Sequence, residues 1–120
     1  MITQTMRCLI IAALGLVALT GCGQRDSSIE EEENSNYQRG RDLLKQGRDE
    51  EAMEEFVLAL RSSSDAPQTN LELGRLFLQV ESRKDPLQAI FHFRQFLRFR
   101  PEAREANNVR QLIATAEKQF

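Results

Sequence analysis

Apolar residues recur three or four positions apart along much of residues 36–120. This spacing places them on one side of a helix, as in helices that pack against a core. Gly47 follows the first such stretch, and Pro67, Pro86 and Pro101 precede later ones, which is typical of helix ends and helix starts. The pattern therefore predicts an all-α fold, with helices near 36–46, 50–62, 67–81, 86–99 and 102–118.

Two aspartates stand where helix N-caps are expected. Asp49 precedes Glu50 and Glu51, and Asp85 precedes Pro86. Aspartate accepts hydrogen bonds from the first amides of a helix, and acidic residues in the first turn favour the positive end of the helix dipole. We therefore expect Asp49 to cap the second helix and Asp85 to cap the fourth.

The first two predicted helices repeat as the next two. Three positions of the first helix recur 34 residues later, and three positions of the second recur 37 residues later. The matched residues are Asn36, Gly40 and Leu44 with Asn70, Gly74 and Leu78, and Ala52, Phe56 and Leu60 with Ala89, Phe93 and Leu97. We expect the glycines and alanines to lie where paired helices approach closely, with Phe56 and Phe93 filling the space between them.

This spacing resembles the tetratricopeptide repeat, a helix–turn–helix unit of about 34 residues. The second unit carries the family pattern in order, as Leu73, Gly74, Phe77, Ala89, Phe93 and Pro101. The first unit has Leu43 in the aromatic position and Ser64 in place of the proline, and neither unit has the early tryptophan. The resemblance implies two antiparallel pairs, at about 33–66 and 67–103. An unrelated helical bundle is the alternative.

The last predicted helix carries one apolar stripe, formed by Ala103, Ala106, Val109, Leu112, Ile113, Ala116 and Phe120. Stacked helical repeats need a terminal cap, and the resemblance gives this role to residues 102–118. A stripe shared with a second subunit in a homodimer is the alternative. Two repeats are also fewer than the usual three or more, so completion by a partner stays open.

The chain begins with a targeting pattern. Arg7 precedes the uncharged stretch 8–19, which at ~1.5 Å per residue is too short for the ~30 Å hydrocarbon core of a membrane. The next residues resemble the lipobox of bacterial lipoproteins: Leu19, Thr20, Gly21 and Cys22. The resemblance implies that 1–21 is a signal peptide, and that cleavage leaves a lipid on Cys22. A structural cysteine, or a chance match after an uncleaved anchor, is the alternative.

An acidic spacer follows the cysteine. Residues 30–33 are four consecutive glutamates, and Ile29 is the one large apolar side chain nearby, so we expect 22–35 to be a lipidated cysteine and flexible tether before the domain 36–120. Cys22 is followed by Gly23 and not by aspartate. This resembles lipoproteins sent to the outer membrane in enteric bacteria, which favours that membrane over the inner one.

Charge and side-chain chemistry argue against nucleic-acid binding and against catalysis. The net charge of −2 gives no basic field for nucleic acid. His92 is the only histidine, and no thiol remains once Cys8 is removed and Cys22 is lipidated. The sequence therefore predicts no enzyme, no metal site and no cofactor.

Ligands of the tetratricopeptide family usually lie along a groove lined by the first helix of each repeat. Carried over by register, the predicted groove consists of Tyr37, Arg41, Lys45, Leu71, Arg75, Leu78 and Gln79. Its three cations suit an extended peptide with acidic character, unless Arg41 and Arg75 pair with neighbouring glutamates. Phe91 and Phe99 are further candidates for exposed apolar contacts.

These expectations combine into a lipoprotein that faces the periplasm and acts as a non-catalytic adaptor, binding another protein in the bacterial cell envelope. A pilotin-like or assembly lipoprotein of a secretion, pilus or outer-membrane complex is the alternative. An accessory of a cell-wall enzyme is a third reading, disfavoured by the missing catalytic set.

Overall fold

A computed structural model describes residues 27–63 and 65–120, and every regular element in these ranges is helical. The α-helices are α1 (Ser27–Glu32), α2 (Ser35–Lys45), α3 (Asp49–Ser62), α4 (Pro67–Gln79), α5 (Pro86–Phe99) and α6 (Ala106–Glu117). A single 3-10 turn, Glu81–Arg83, follows α4. The predicted signal peptide 1–21, its lipobox and Cys22 lie outside the described residues.

Helices α2 to α6 form two successive pairs and a terminal helix. α2 packs mainly against α3, α4 packs mainly against α5, and α6 packs against α5. Because the connections within each pair are short, the paired helices are antiparallel neighbours. The predicted all-α class, with two repeat-like helix pairs and a C-terminal capping helix, is confirmed.

Within each pair, a glycine of the first helix packs against a phenylalanine ring of the second. A Cβ atom on Gly40 would lie 2.7 Å from Cε1 of Phe56, and one on Gly74 would lie 2.5 Å from Cδ1 of Phe93. Both phenylalanine side chains are fully buried. The two pairs therefore share one packing solution, as the repeated spacing predicts.

Two buried clusters hold the helices together. The first cluster joins α2 and α3 to one side of α4 through Tyr37, Leu43, Ala52, Met53, Phe56, Ala59, Leu73 and Leu76. The second joins the other side of α4 to α5 and α6 through Leu71, Ala89, Phe93, Phe96 and Val109. Leu112 and Ile113 pack against the second cluster, so the predicted apolar stripe of the last helix covers the second pair.

Helix ends follow the sequence signals in most places. Asp85 Oδ1 accepts hydrogen bonds from the amides of Leu87 and Gln88, at 3.0 and 3.1 Å, so its predicted cap is confirmed. Gly47 follows α2 with φ of +71°, a left-handed conformation that glycine adopts without strain. Asp49 is different, because Arg48 holds the N-cap position and no side chain bonds there. Asp49 instead lies in the acidic first turn.

Two helix boundaries differ from the prediction by more than one residue. α4 ends at Gln79, because Val80 is extended with ψ of 104°. The last helix begins at Ala106 and not at residue 102, because residues 101–105 form turns. One of these turns is held by Arg110, whose guanidinium donates to the carbonyl of Pro101 at 2.9 Å. Pro101 therefore closes a turn and does not open a helix.

Part of the predicted tether is ordered, which corrects that prediction. Ser27–Glu32 forms α1, and Glu31 within it is 2% exposed. Its Oε2 accepts a hydrogen bond from the amide of Gln68 at 3.0 Å, and its Oε1 accepts one from the amide of Thr69. Acidic composition predicted disorder, but a carboxylate placed at the positive end of α4 supplies a specific contact that composition does not reveal.

Candidate functional site

The first-repeat residues of the predicted groove lie together on one face of α2. Tyr37, Arg41 and Lys45 line an open cavity of about 410 Å³. Spacing by four residues places them on successive turns of the same side. The other lining residues are Glu32, Gln38 and Asp42. We call this the α2 cavity.

A second cavity extends from α2 to α4. Its volume is about 430 Å³, and Glu32, Tyr37 and Arg41 line it as well as the α2 cavity. The remaining lining residues are Gln68, Glu72, Arg100 and Ala103. This α2–α4 cavity therefore joins the first helices of both pairs, as a groove of the predicted kind would.

The second-repeat residues of the predicted groove do not line either cavity. Leu71 is 2% exposed and belongs to the core, and Leu78 packs against the same cluster. Gln79 is exposed at the end of α4, and Arg75 pairs with Glu72 at 3.3 Å. The face of α4 towards α2 instead carries Gln68 and Glu72, so the assignment of Leu71 to an accessible groove is wrong.

Arg41 and Tyr37 form the centre shared by the two cavities. The Arg41 guanidinium carbon lies 5.8 Å from the centroid of the Tyr37 ring, which is a cation–π arrangement. Tyr37 is 5% exposed, and burial raises the pKa of its hydroxyl group. A buried ring thus supports a cation that is itself exposed.

Acidic and basic side chains are paired around this centre. Lys45 Nζ lies 2.9 Å from Asp42 Oδ1, so this exposed pair adds little net charge. Burial raises the pKa of the Glu72 carboxyl group, against the opposing effect of Arg75 and Arg41. Arg75 pairs with a neighbouring glutamate, Glu72. This was the alternative to a ligand-binding role for Arg75. Arg41 is held by a ring, so it is the cation best placed to meet a ligand.

A third cavity lies on the other side of the first pair and is mainly apolar. Its volume is about 370 Å³, and its lining consists of Met53, Glu54, Val57, Leu58, Arg61, Phe77 and Arg83. We call it the α3 groove. Val57 and Leu58 are each 40% exposed, and sequence reasoning missed both. The available signal was two apolar residues on α3 outside its core stripe.

The other aromatic candidates have different fates. Phe91 is 53% exposed, as expected, whereas Phe99 is partly buried and lies under Arg98, whose guanidinium carbon is 5.7 Å from the centre of the ring. His92 is buried and stacks on Phe77 with a centroid distance of 5.6 Å.

The hydrogen bond and burial of His92 indicate a packing role. Its Nδ1 lies 2.9 Å from Asn70 Oδ1, an acceptor, so Nδ1 carries the proton of this hydrogen bond. Burial lowers the His92 pKa to about 4, so the ring is neutral at pH 7. Within 27–63 and 65–120, no group of three histidine, cysteine, aspartate or glutamate residues is arranged to hold a metal ion.

Comparisons with known proteins identified no similar protein. No protein-family model, no curated protein and no solved structure matches this chain. In the part of the chain that the structure describes, none of the helices combines the length and apolar character needed to cross a membrane. The contacts within this chain are therefore the basis for its function.

Proposed function

We propose that this protein is a tetratricopeptide-like lipoprotein of the bacterial cell envelope, a non-catalytic adaptor that holds an acidic segment of a partner protein in the α2–α4 cavity. The Arg41 guanidinium over the Tyr37 ring is the observation that carries the ligand assignment. A guanidinium has five N–H donors, so its contact with Tyr37 leaves donors for a carboxylate. A carboxylate in this cavity would therefore meet a preorganised cation.

The shape and charge of the cavity favour a peptide over a small anion. Two arginines, Arg41 and Arg100, and two glutamates, Glu32 and Glu72, line it. A simple anion would meet both signs of charge, whereas an extended peptide can place its carboxylate beside an arginine and its amides beside a glutamate. The partner segment is therefore expected to be acidic at one position and polar around it.

The proposed attachment to a membrane is supported by the sequence of the first 22 residues. Arg7, the apolar stretch 8–19 and the lipobox stand in the order of a lipoprotein signal peptide. Lipid on Cys22 would hold the domain at the periplasmic face of an envelope membrane, with the outer membrane favoured. Two or more acyl chains suffice for stable anchoring.

The α3 groove favours a second candidate function. Its exposed Val57 and Leu58 lie beside Phe77, and an amphipathic helix of a partner would bury them. This chemistry suits an assembly or pilotin-like lipoprotein that escorts an apolar segment of an envelope complex.

Photo-crosslinking in the native envelope tests the two candidates against each other. A photoreactive residue replaces Gln68, which lines the α2–α4 cavity, or Arg61, which lines the α3 groove. We expect a discrete crosslinked partner from position 68 and none from position 61. Crosslinking from position 61 alone would refute the adaptor proposal and favour the assembly lipoprotein.

A further inference from the structure

Two large apolar side chains of α5 are exposed and take no part in the proposed ligand site. Leu87 is 62% exposed and Phe91 is 53% exposed. They are four residues apart, so they lie on one side of the helix. Arg94 and Arg98, both exposed, continue the same side at spacings of three and four. We call these four residues the α5 stripe.

Helix packing does not require apolar residues at these positions. The repeat spacing of 37 residues relates Leu87 to Glu50 and Phe91 to Glu54 on α3. Both glutamates are exposed, so the first pair forms the same packing with charged side chains there. Neighbouring apolar side chains that stay in water without a packing reason are typical of a binding surface.

The charge of the stripe is complementary to an anionic surface. Of the α-helices within 27–63 and 65–120, only α5 contains no acidic residue. Arg94 shares its charge with Glu117 of α6 at 2.9 Å, whereas Arg98 lies over the ring of Phe99, so Arg98 supplies most of the positive charge. Apolar and basic side chains on one side of a helix suit the interface of an anionic bilayer, where the apolar groups enter the acyl boundary and the cations meet phosphate.

A bilayer fits the size of the stripe better than a second copy of this chain. A stable interface between proteins buries roughly 1,200–2,000 Å² in total, and two half-exposed side chains supply only a small part of this area. Contact with a bilayer can be weak, because the lipid proposed on Cys22 already holds the chain there. Ser27, the first described residue, is five positions after Cys22, a span of at most ~18 Å. The second contact is therefore intramolecular, and low affinity suffices.

We infer that the α5 stripe rests on the surface of an anionic phospholipid membrane, with Leu87 and Phe91 in the interface and Arg98 at the phosphates. This inference rests on the lipid anchor of the proposed function. The stripe shares no residue with the α2 cavity or the α2–α4 cavity. Membrane contact would thus fix the orientation of the domain without using the residues proposed to hold the partner.

Tryptophan fluorescence tests this contact, because the chain contains no tryptophan. Phe91→Trp places one reporter in the stripe and keeps the position apolar. The full chain is reconstituted into vesicles of phosphatidylethanolamine and anionic phosphatidylglycerol, with or without bromine on the acyl chains, which quenches tryptophan at contact. Lys45→Trp is the control, because Lys45 is exposed on α2, which packs mainly against α3. Circular dichroism checks folding, and mass spectrometry checks for lipid on Cys22.

We expect brominated lipid to quench the Phe91→Trp chain at least twofold and to leave the Lys45→Trp chain unchanged. Adding Leu87→Glu, which gives α5 the residue type that α3 has at Glu50, should abolish the quenching. Adding Arg98→Gln instead should weaken it, because one cation fewer meets the phosphates.

Absence of quenching, equal quenching in the two reporter chains, or no effect of Leu87→Glu would overturn the inference. Blue-shifted emission without quenching would also overturn it, and would assign the stripe to a contact between two copies. Failure of the proposed anchor looks different, since the mass of the purified chain would then show no lipid. An unquenched Phe91→Trp chain that carries lipid refutes the membrane contact alone.

Discussion

A single methyl group at Gly74 should destabilise this fold although alanine is the better helix former. In an exposed helix, Gly→Ala gains roughly 0.5–1 kcal/mol. Here the new Cβ would lie 2.5 Å from two atoms of the Phe93 ring, which is fully buried and cannot move aside. Overpacking costs roughly 1–3 kcal/mol. We therefore expect a net loss of about 1–2 kcal/mol in the free energy of unfolding.

The assay is thermal and urea unfolding of the full chain in detergent, followed by circular dichroism. For a helical domain of this size, 1 kcal/mol corresponds to roughly 4–8 °C in Tm. Phe93→Leu provides the matched test, because a smaller side chain makes room for the methyl group. The double variant should be more stable than the sum of the single effects predicts, by about 1 kcal/mol. A higher Tm for Gly74→Ala, or simple additivity, would refute the close contact.

Three further predictions address the anchor, the buried histidine and the helix caps. Cys22→Ala should abolish incorporation of labelled fatty acid and leave a longer, unprocessed chain; label at the wild-type level would refute the lipobox assignment. Since the pKa of His92 is about 4 in the folded chain and about 6.5 when unfolded, the unfolded chain takes up the proton first as pH falls. The stabilisation that neutral, buried His92 contributes should therefore be lost between pH 6.5 and 4, by at most about 1.4 kcal/mol per pH unit. A His92→Gln chain with the same pH profile of stability as wild type would contradict this. Asp85→Ala should cost about 1 kcal/mol, whereas Asp49→Ala should cost a few tenths, about the value of a surface charge near a helix dipole; equal losses in urea unfolding would show that the two aspartates act alike.

Local spacing was sufficient to predict the frame of the fold. Gly40 with Phe56 and Gly74 with Phe93 are related by the repeat, and the structure places each glycine against its phenylalanine. Such contacts join neighbouring helices linked by short turns, so periodicity and small residues determine them. The cap at Asp85 is equally local, because it depends on the next three residues alone.

The missed features depend on contacts between distant parts of the chain. Glu31 bonds to amides 37 and 38 positions away, and composition alone cannot show that a helix N-terminus stands there to receive it. The direction of Leu71 depends on how α4 rotates between two clusters, since it packs into the second while Leu73 packs into the first. For the candidate site, the spacing by four residues was sufficient to place Tyr37, Arg41 and Lys45 on one face of α2, where they line the same cavity. The residues of α4 that line the cavity could not be predicted in the same way. They depend on how α4 is rotated about its axis, and the repeat spacing does not determine this rotation.

The central claim is that Arg41 holds the partner, and charge reversal tests it most directly. The full chain carries Arg41→Glu, or Arg61→Glu as a control with the same charge change on the α3 groove. Capture of the partner identified by crosslinking is measured at low and high salt, with helical circular dichroism as the check on folding. The account predicts that Arg41→Glu lowers capture at least tenfold, more at low salt than at high salt because salt screens the interaction, and that Arg61→Glu leaves it nearly unchanged. Wild-type capture by the Arg41→Glu chain, or an equal loss in both chains, would contradict it.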